Sequence, residues 1–191
     1  SEARVRQYKE AGKCLYLHGY ADDSIYPMSV APPLNFSFCS ERLLLAKSLG
    51  FNYVRHHTNV LPDEYFEAAC EVGMMIQAEF PMCGGRVGCD GATFECNKND
   101  VYFEEWRATI LRLRNFPCVF DYTMNNEGPL ENHEFAMRLY TMAKRLDPHR
   151  LVSTSDGIGD DGNSNHSSTR GNTSADNPFD FLTPGYEGGA M

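Results

Sequence analysis

The sequence predicts an α/β fold, a (β/α)8 (TIM) barrel of which about the first six βα units are present, on three observations. Short apolar runs alternate with amphipathic segments from end to end. Neither a G-x-G-x-x-G nor a P-loop occurs, so the usual phosphate chemistry of a doubly wound sheet is missing. Polar residues gather just after each apolar run: Asp22 and Asp23, Arg55 to Asn59, Glu79, Asn126 and Glu127, Asp156, then Tyr186 and Glu187. That is the end of the strands at which barrel active sites are built. Repeated βα units also require a parallel sheet with right-handed crossovers. A full barrel takes about 250 residues, so a chain of 191 is expected to be an incomplete one. Residues 1–12 read as an entry segment or linker from a preceding domain, and 13–191 as the partial barrel.

The elements follow in order. Cys14–Gly19 (CLYLHG) is the first strand-like run, followed by a loop with Asp22, Asp23, Pro27, Pro32 and Pro33. Glu41–Leu49 reads as a helix that Ser37 or Ser40 can cap and Gly50 stops. Phe51–His57 (FNYVRHH) is the second strand. Pro62 then opens a helix, with Asp63 and Glu64 suited to the positive end of its dipole. Tyr65, Phe66, Ala69, Cys70 and Val72 share one face, and Gly73 ends it. Met74–Phe80 is the third strand, and Gly84–Lys98 is a loop long enough to suggest a function.

Asn99 or Asp100 caps the next helix, whose apolar face is Phe103, Trp106, Ile110 and Leu113, and Pro117 forbids its continuation. Val119–Met124 is the fourth strand. Leu130–Leu146 is a helix with Phe135, Leu139, Met142 and Leu146 on its buried stripe, and Leu151–Thr154 a fifth strand. Asp156–Asn177 is rich in Gly, Ser, Asn and Asp and reads as a surface excursion; Phe179–Thr183 is the sixth strand candidate.

Composition narrows the partners. The formal net charge of −9 argues against nucleic acid or an anionic membrane, since both demand a basic surface, but leaves a neutral polar ligand such as a sugar open. No apolar run approaches the ~20 residues of a membrane span, and Ser1 to Glu10 carry no signal-peptide pattern. The 7 cysteines are odd in number, widely spread and without a C-x-x-C, which is no disulfide framework. Cys14, Cys70 and Cys118 lie in apolar runs and read as small buried hydrophobes. Cys83, Cys89 and Cys96 share a glycine-rich loop where they could pair, bind metal, or remain free. The spacing does not match a structural zinc site, and no metal or cofactor is expected.

Glycoside cleavage needs a carboxylic acid to protonate the leaving oxygen and a second carboxylate across the sugar, about 5–5.5 Å away in retaining enzymes. Burial at a strand end can keep the acid protonated near neutral pH. An adjacent amide can orient the ring through a hydroxyl. Asn126-Glu127 supplies both parts, although an Asn-Glu pair taken alone reads as a solvated carboxylate capping the helix that begins near Pro129.

The surrounding sequence decides between them. Leu113–Gly128 (LRNFPCVFDYTMNNEG) resembles the fourth-strand signature of family 2 glycoside hydrolases, the β-galactosidases, β-glucuronidases and β-mannosidases. In that signature Arg-Asn-His-Pro-Ser-Val leads through a hydrophobic strand to Asn-Glu. Gly50–Pro81 is similar to the family's second strand, helix and third strand, beginning Gly-Phe-Asn-x-Val-Arg and closing on Glu. Lys13–Tyr20 resembles its first strand, and Asp147-Pro148-His149-Arg150 the Asp-Pro-x-Arg ahead of its fifth.

The resemblance implies a retaining enzyme that hydrolyses terminal β-glycosidic bonds. Glu127 would be its acid/base and Asn126 the partner that binds the 2-hydroxyl. Arg55 would be a structural or active-site arginine, and Glu79 its support. Tyr186 would lie near the nucleophile, with His57 and Asp23 in reach of the sugar. Members place a histidine three positions after the arginine, where this chain has Thr58. The nucleophile, a glutamate on the seventh strand, is expected beyond Met191, so the isolated chain is expected to be inactive. Flanking β-sandwich domains would complete the protein. An endo-acting barrel glycosidase or a non-catalytic sugar-binding barrel are the alternatives.

Overall fold

The computed structural model describes residues 15–81, 99–126 and 133–153, with side chains outside 99–100 and 133–136. Their strands are β1 (Gly19–Asp22), β2 (Tyr53–His56), β3 (Met75–Glu79), β4 (Val119–Thr123) and β5 (Leu151–Ser153). Their helices are α1 (Phe36–Ser48), α2 (Asp63–Val72), α3 (Asn99–Leu113) and α4 (His133–Leu146). The strands form one sheet in the order β1-β2-β3-β4-β5, and every pairing is parallel. This is the α/β alternation expected. The sixth strand expected at Phe179–Thr183, and the cysteine-bearing loop with Cys83, Cys89 and Cys96, lie outside the described residues.

Two element starts differ from the sequence reading by five residues. The first apolar run is not a buried strand: Leu15, Tyr16 and Leu17 are exposed, Tyr16 by 81%. Asn52 explains this. Its side chain accepts from His18 N–H at 2.8 Å and donates to Tyr16 O at 2.7 Å, so ladder pairing begins only at Gly19 opposite Tyr53. Glycine is needed there, because a Cβ would lie 2.1 Å from the Tyr53 ring. Helix α1 begins five residues earlier than expected, at Phe36 rather than Glu41. Neither Ser37 nor Ser40 caps it: Asn35 Oδ1 accepts from Phe38 N–H at 2.9 Å. Pro32 and Pro33 hold the preceding chain extended and so deliver Asn35 as the cap.

The other elements match their signals. Asp63 and Glu64 occupy the first turn of α2, and Gly73 closes it in the left-handed conformation, φ +71°. Phe103, Trp106, Ile110 and Leu113 are all buried, and the Trp106 indole N–H donates to Leu139 O at 3.1 Å, joining α3 to α4.

The outer face of the sheet carries Val54, Ile76, Ala78, Tyr122 and Val152 and packs beneath the helices with Phe66, Ile110 and Leu139. Each large side chain buried there contributes ~1.5–3 kcal/mol. The opposite face is polar: Arg55, Gln77, Glu79, Asp121, Thr123 and Ser153 are all buried on it.

The cysteine reading needs one correction. Cys70 and Cys118 are not free apolar side chains but form a disulfide across 48 residues, with Cα atoms 4.8 Å apart. Chain folding brings the end of α2 beside the root of β4, a juxtaposition that residue spacing does not reveal. Cys39 is the free cysteine among the described residues, and it is buried.

Candidate active site

Of the predicted residues, Asp23, Arg55, His57, Glu79 and Asn126 stand at or just past the carboxyl ends of β1 to β4. Arg55 ends its side chain on the polar face, where Nε donates to Glu79 Oε2 at 2.8 Å and Nη2 approaches the same oxygen at 2.7 Å. Nη2 also donates to Asn126 Oδ1. Glu79 is wholly buried and Asn126 nearly so. One guanidinium therefore bridges β2, the end of β3 and Asn126, three residues past β4. A buried ion pair of this kind is tolerable because each charge is hydrogen-bonded as well as paired.

The second oxygen of Glu79 accepts from Thr58 N–H at 3.1 Å. Thr58 has φ +33°, a conformation that a β-branched residue adopts only when its surroundings impose it. The turn after β2 is thus held in place by the carboxylate that also anchors Arg55. Next to Asn126, Asn125 is buried and its Oδ1 accepts from Asn126 N–H at 2.8 Å.

His57 and Asp23, taken separately as candidates from the sequence, form a pair: Nδ1 lies 2.9 Å from Asp23 Oδ1 at the exposed rim. His57 N–H also bonds Asp22 O at 2.9 Å, which continues the β1–β2 ladder one residue past the strands. Asp22 faces a different task. It is buried, accepts from Ser24 N–H at 2.8 Å and pairs with Arg42 at 3.4 Å, so it shapes the turn after β1. His56 points to the other side of the sheet, edge-on to Tyr65 and Phe66 with ring centroids 4.7 and 5.5 Å away. Burial pushes its imidazole down to about 3, so it is neutral in the folded protein.

Beneath this cluster lies a polar floor that was not singled out from the sequence. Gln77 Nε2 donates to Thr123 Oγ1 at 3.0 Å, and Thr123 Oγ1 donates to Asp121 Oδ2 at 2.7 Å. Ser153 Oγ reaches the same carboxylate oxygen at 3.0 Å. The signal was present: Gln77 and Glu79, then Asp121 and Thr123, recur every second residue within otherwise apolar strands.

Asp147 and Arg150 act at the opposite end of the sheet. Arg150 pairs with Asp147 and donates to Val119 O at 2.6 Å and Phe116 O at 2.7 Å, while Tyr122 OH donates to Asp147 at 2.9 Å. Burial raises the Asp147 pKa, but the Arg150 hydrogen bond and charge outweigh that and bring it below the usual carboxylate value. The Asp-Pro-x-Arg segment is therefore a latch at the root of β4. Glu127 and Tyr186 lie outside the described residues. Among the described residues no cluster of His, Cys, Asp and Glu is arranged to hold a metal.

No protein-family model matches the chain. A β-galactosidase of Thermoanaerobacter pseudethanolicus (strain ATCC 33223 / 39E) is 29% identical over 107 residues, which make up 56% of this chain and 14% of that enzyme. Among solved structures, a glycosyl hydrolase family 2 member from Bacteroides cellulosilyticus superposes on 81% of this chain and 20% of its own, with TM-score 0.67 and 21% identity. For Bacteroides uniformis β-glucuronidase 2 the values are 82%, 20%, 0.66 and 20% identity. For a GH2 β-galacturonidase from Eisenbergiella tayi they are 72%, 25%, 0.61 and 22% identity. The chain thus spans 14% of the curated relative and 20 to 25% of these three structures. It is similar in sequence to a β-galactosidase and in fold to these family 2 glycoside hydrolases.

Proposed function

We propose that the protein carrying this chain is a retaining exo-glycosidase that cleaves terminal β-glycosidic bonds, and that this chain supplies its acid/base. In this reading β1 to β5 are the first five strands of a (β/α)8 barrel. The observation that carries it is the Arg55 bridge, which ties Asn126 to Glu79 across three neighbouring strand ends. A sugar-binding amide must be oriented before the substrate arrives, since a loosely held one gives up part of the rate gained by positioning. The Arg55 hydrogen bond to Oδ1 supports this role, because it fixes the plane of the Asn126 amide.

Glu127, the next residue in the chain, is the proton donor to the leaving oxygen. The nucleophilic carboxylate comes from a later strand, outside residues 1–191, as does a preceding or following β-sandwich. Further strands and helices would also cover the edge of β1, the exposed Leu44 and Leu45 of α1, and Leu49 just after it. His57, held by Asp23 at the rim, is a sugar contact, and Tyr186 belongs near the nucleophile.

The test uses the full-length protein and a pair of aryl β-glycosides that differ in leaving-group acidity. Glu127→Gln is expected to lower kcat/KM by ~10²–10⁴-fold on the poor leaving group, the usual range for general acid catalysis, and far less on the activated one. Equal loss on both substrates would remove Glu127 from the acid role, and unchanged turnover would make the barrel a binding module.

A further inference from the structure

The Cys70–Cys118 disulfide lies at the root of the strand whose other end carries Asn126. Cys70 stands in the last turn of α2 and is partly exposed. Cys118 is nearly buried and directly precedes β4, and its N–H points at Cys70 Sγ at 3.3 Å. Phe66 of α2 and Phe116 pack beside the pair with ring centroids 5.2 Å apart. The two cysteines are 48 positions apart in sequence, with β3 and α3 between them, so the bond joins segments that only the folded chain brings near.

We propose that this disulfide is a redox-governed clamp that fixes the root of β4 to α2 and sets how long the fold survives, without taking part in the chemistry at the far end. Two thiols form it by exchange with an external disulfide, either a protein or a small molecule. The thiolate of Cys70, the more exposed of the two, attacks that disulfide and releases one thiolate. The thiolate of Cys118 then attacks the mixed disulfide and releases the second. The two protons lost from the cysteines end on the released thiols, and the external disulfide takes up the two electrons. Reduction by a dithiol reverses each step, again entering at Cys70, the more exposed residue of the two. A closed loop of this length restricts the unfolded chain strongly, so its loss favours opening. Latching of the same strand root by Arg150 keeps β4 in register while the fold persists.

The experiment uses the full-length protein purified without reductant. Alkylation in denaturant followed by peptide mapping is expected to find Cys70 and Cys118 unmodified and linked, and alkylated only after treatment with dithiothreitol. Dithiothreitol is then expected to shorten the half-life of thermal unfolding about tenfold. In a Cys70→Ala/Cys118→Ala variant it should change nothing, which separates this pair from Cys83, Cys89 and Cys96. Should the variant fail to fold, reduced wild type supplies the second measurement, because hydrogen exchange of β4 peptides must speed up on reduction. Alkylation of both residues without reductant, an equal dithiothreitol effect in the variant, or unchanged exchange of β4 overturns the clamp. None of these readouts depends on which sugar the protein cleaves.

Discussion

His56 makes a quantitative prediction about acid stability. Its imidazole is fully buried, neither ring nitrogen has a hydrogen-bond partner among the described residues, and burial lowers its pKa from 6.5 to about 3. A depressed folded-state value means that the unfolded chain binds the proton first. The stability held by the neutral ring is complete above pH 6.5 and is lost as pH falls towards 3. Between about pH 7.5 and pH 5 the unfolded imidazole becomes charged while the folded one stays neutral, which costs about 2 kcal/mol. Any folded-state value below about 4 gives the same loss, because the folded ring is neutral at pH 5 either way.

His56→Leu removes the titration and two unsatisfied nitrogens at similar volume, so it should be neutral or stabilising at pH 7.5. The assay is urea unfolding of the full-length protein at both pH values, read by hydrogen exchange on peptides covering β2 and α2. Other titrating groups cancel in the comparison with wild type. The variant is expected to lose ~2 kcal/mol less than wild type on going to pH 5. Equal losses would refute the reasoning and would mean that His56 has a proton acceptor or solvent access in the folded protein.

Two further substitutions probe the frame of the site. Glu79→Gln leaves the buried Arg55 guanidinium without its counter-charge and should cost ~3–5 kcal/mol in urea unfolding; a loss under ~1 kcal/mol would show that the charge is balanced elsewhere. Asn35→Ala removes the cap of α1 and should cost ~1 kcal/mol, confined to exchange of the first α1 turn. Global loss of protection would instead make Asn35 part of the core.

Much of the fold was legible because its signals are local. Apolar runs of strand length, Gly73 after α2, acidic residues in the first turn of α2 and the Phe103–Trp106–Ile110–Leu113 stripe each act within a few residues of themselves. One misread boundary has a distant cause and the other a local one. Asn52 takes up the backbone of Tyr16 and His18 across some thirty residues and so postpones β1. The α1 cap went to Asn35 because the extended Pro32-Pro33 segment ends beside it, a choice among nearby polar residues that propensity alone leaves open.

For the site, the sequence by itself determined which residue types stand at the strand ends: Asp23, Arg55, His57, Glu79 and Asn126. Period-two alternation and the lead-in to Asn126 are properties of a single stretch of chain. Only the tertiary structure decided how they are partnered. Arg55 reaches Glu79 and Asn126 across neighbouring strands, His57 meets Asp23, His56 turns away into the core, and Cys70 bonds Cys118. The partnerships of strand residues depend on register and on which face each side chain takes, and a shift of one residue would turn those side chains to the other face.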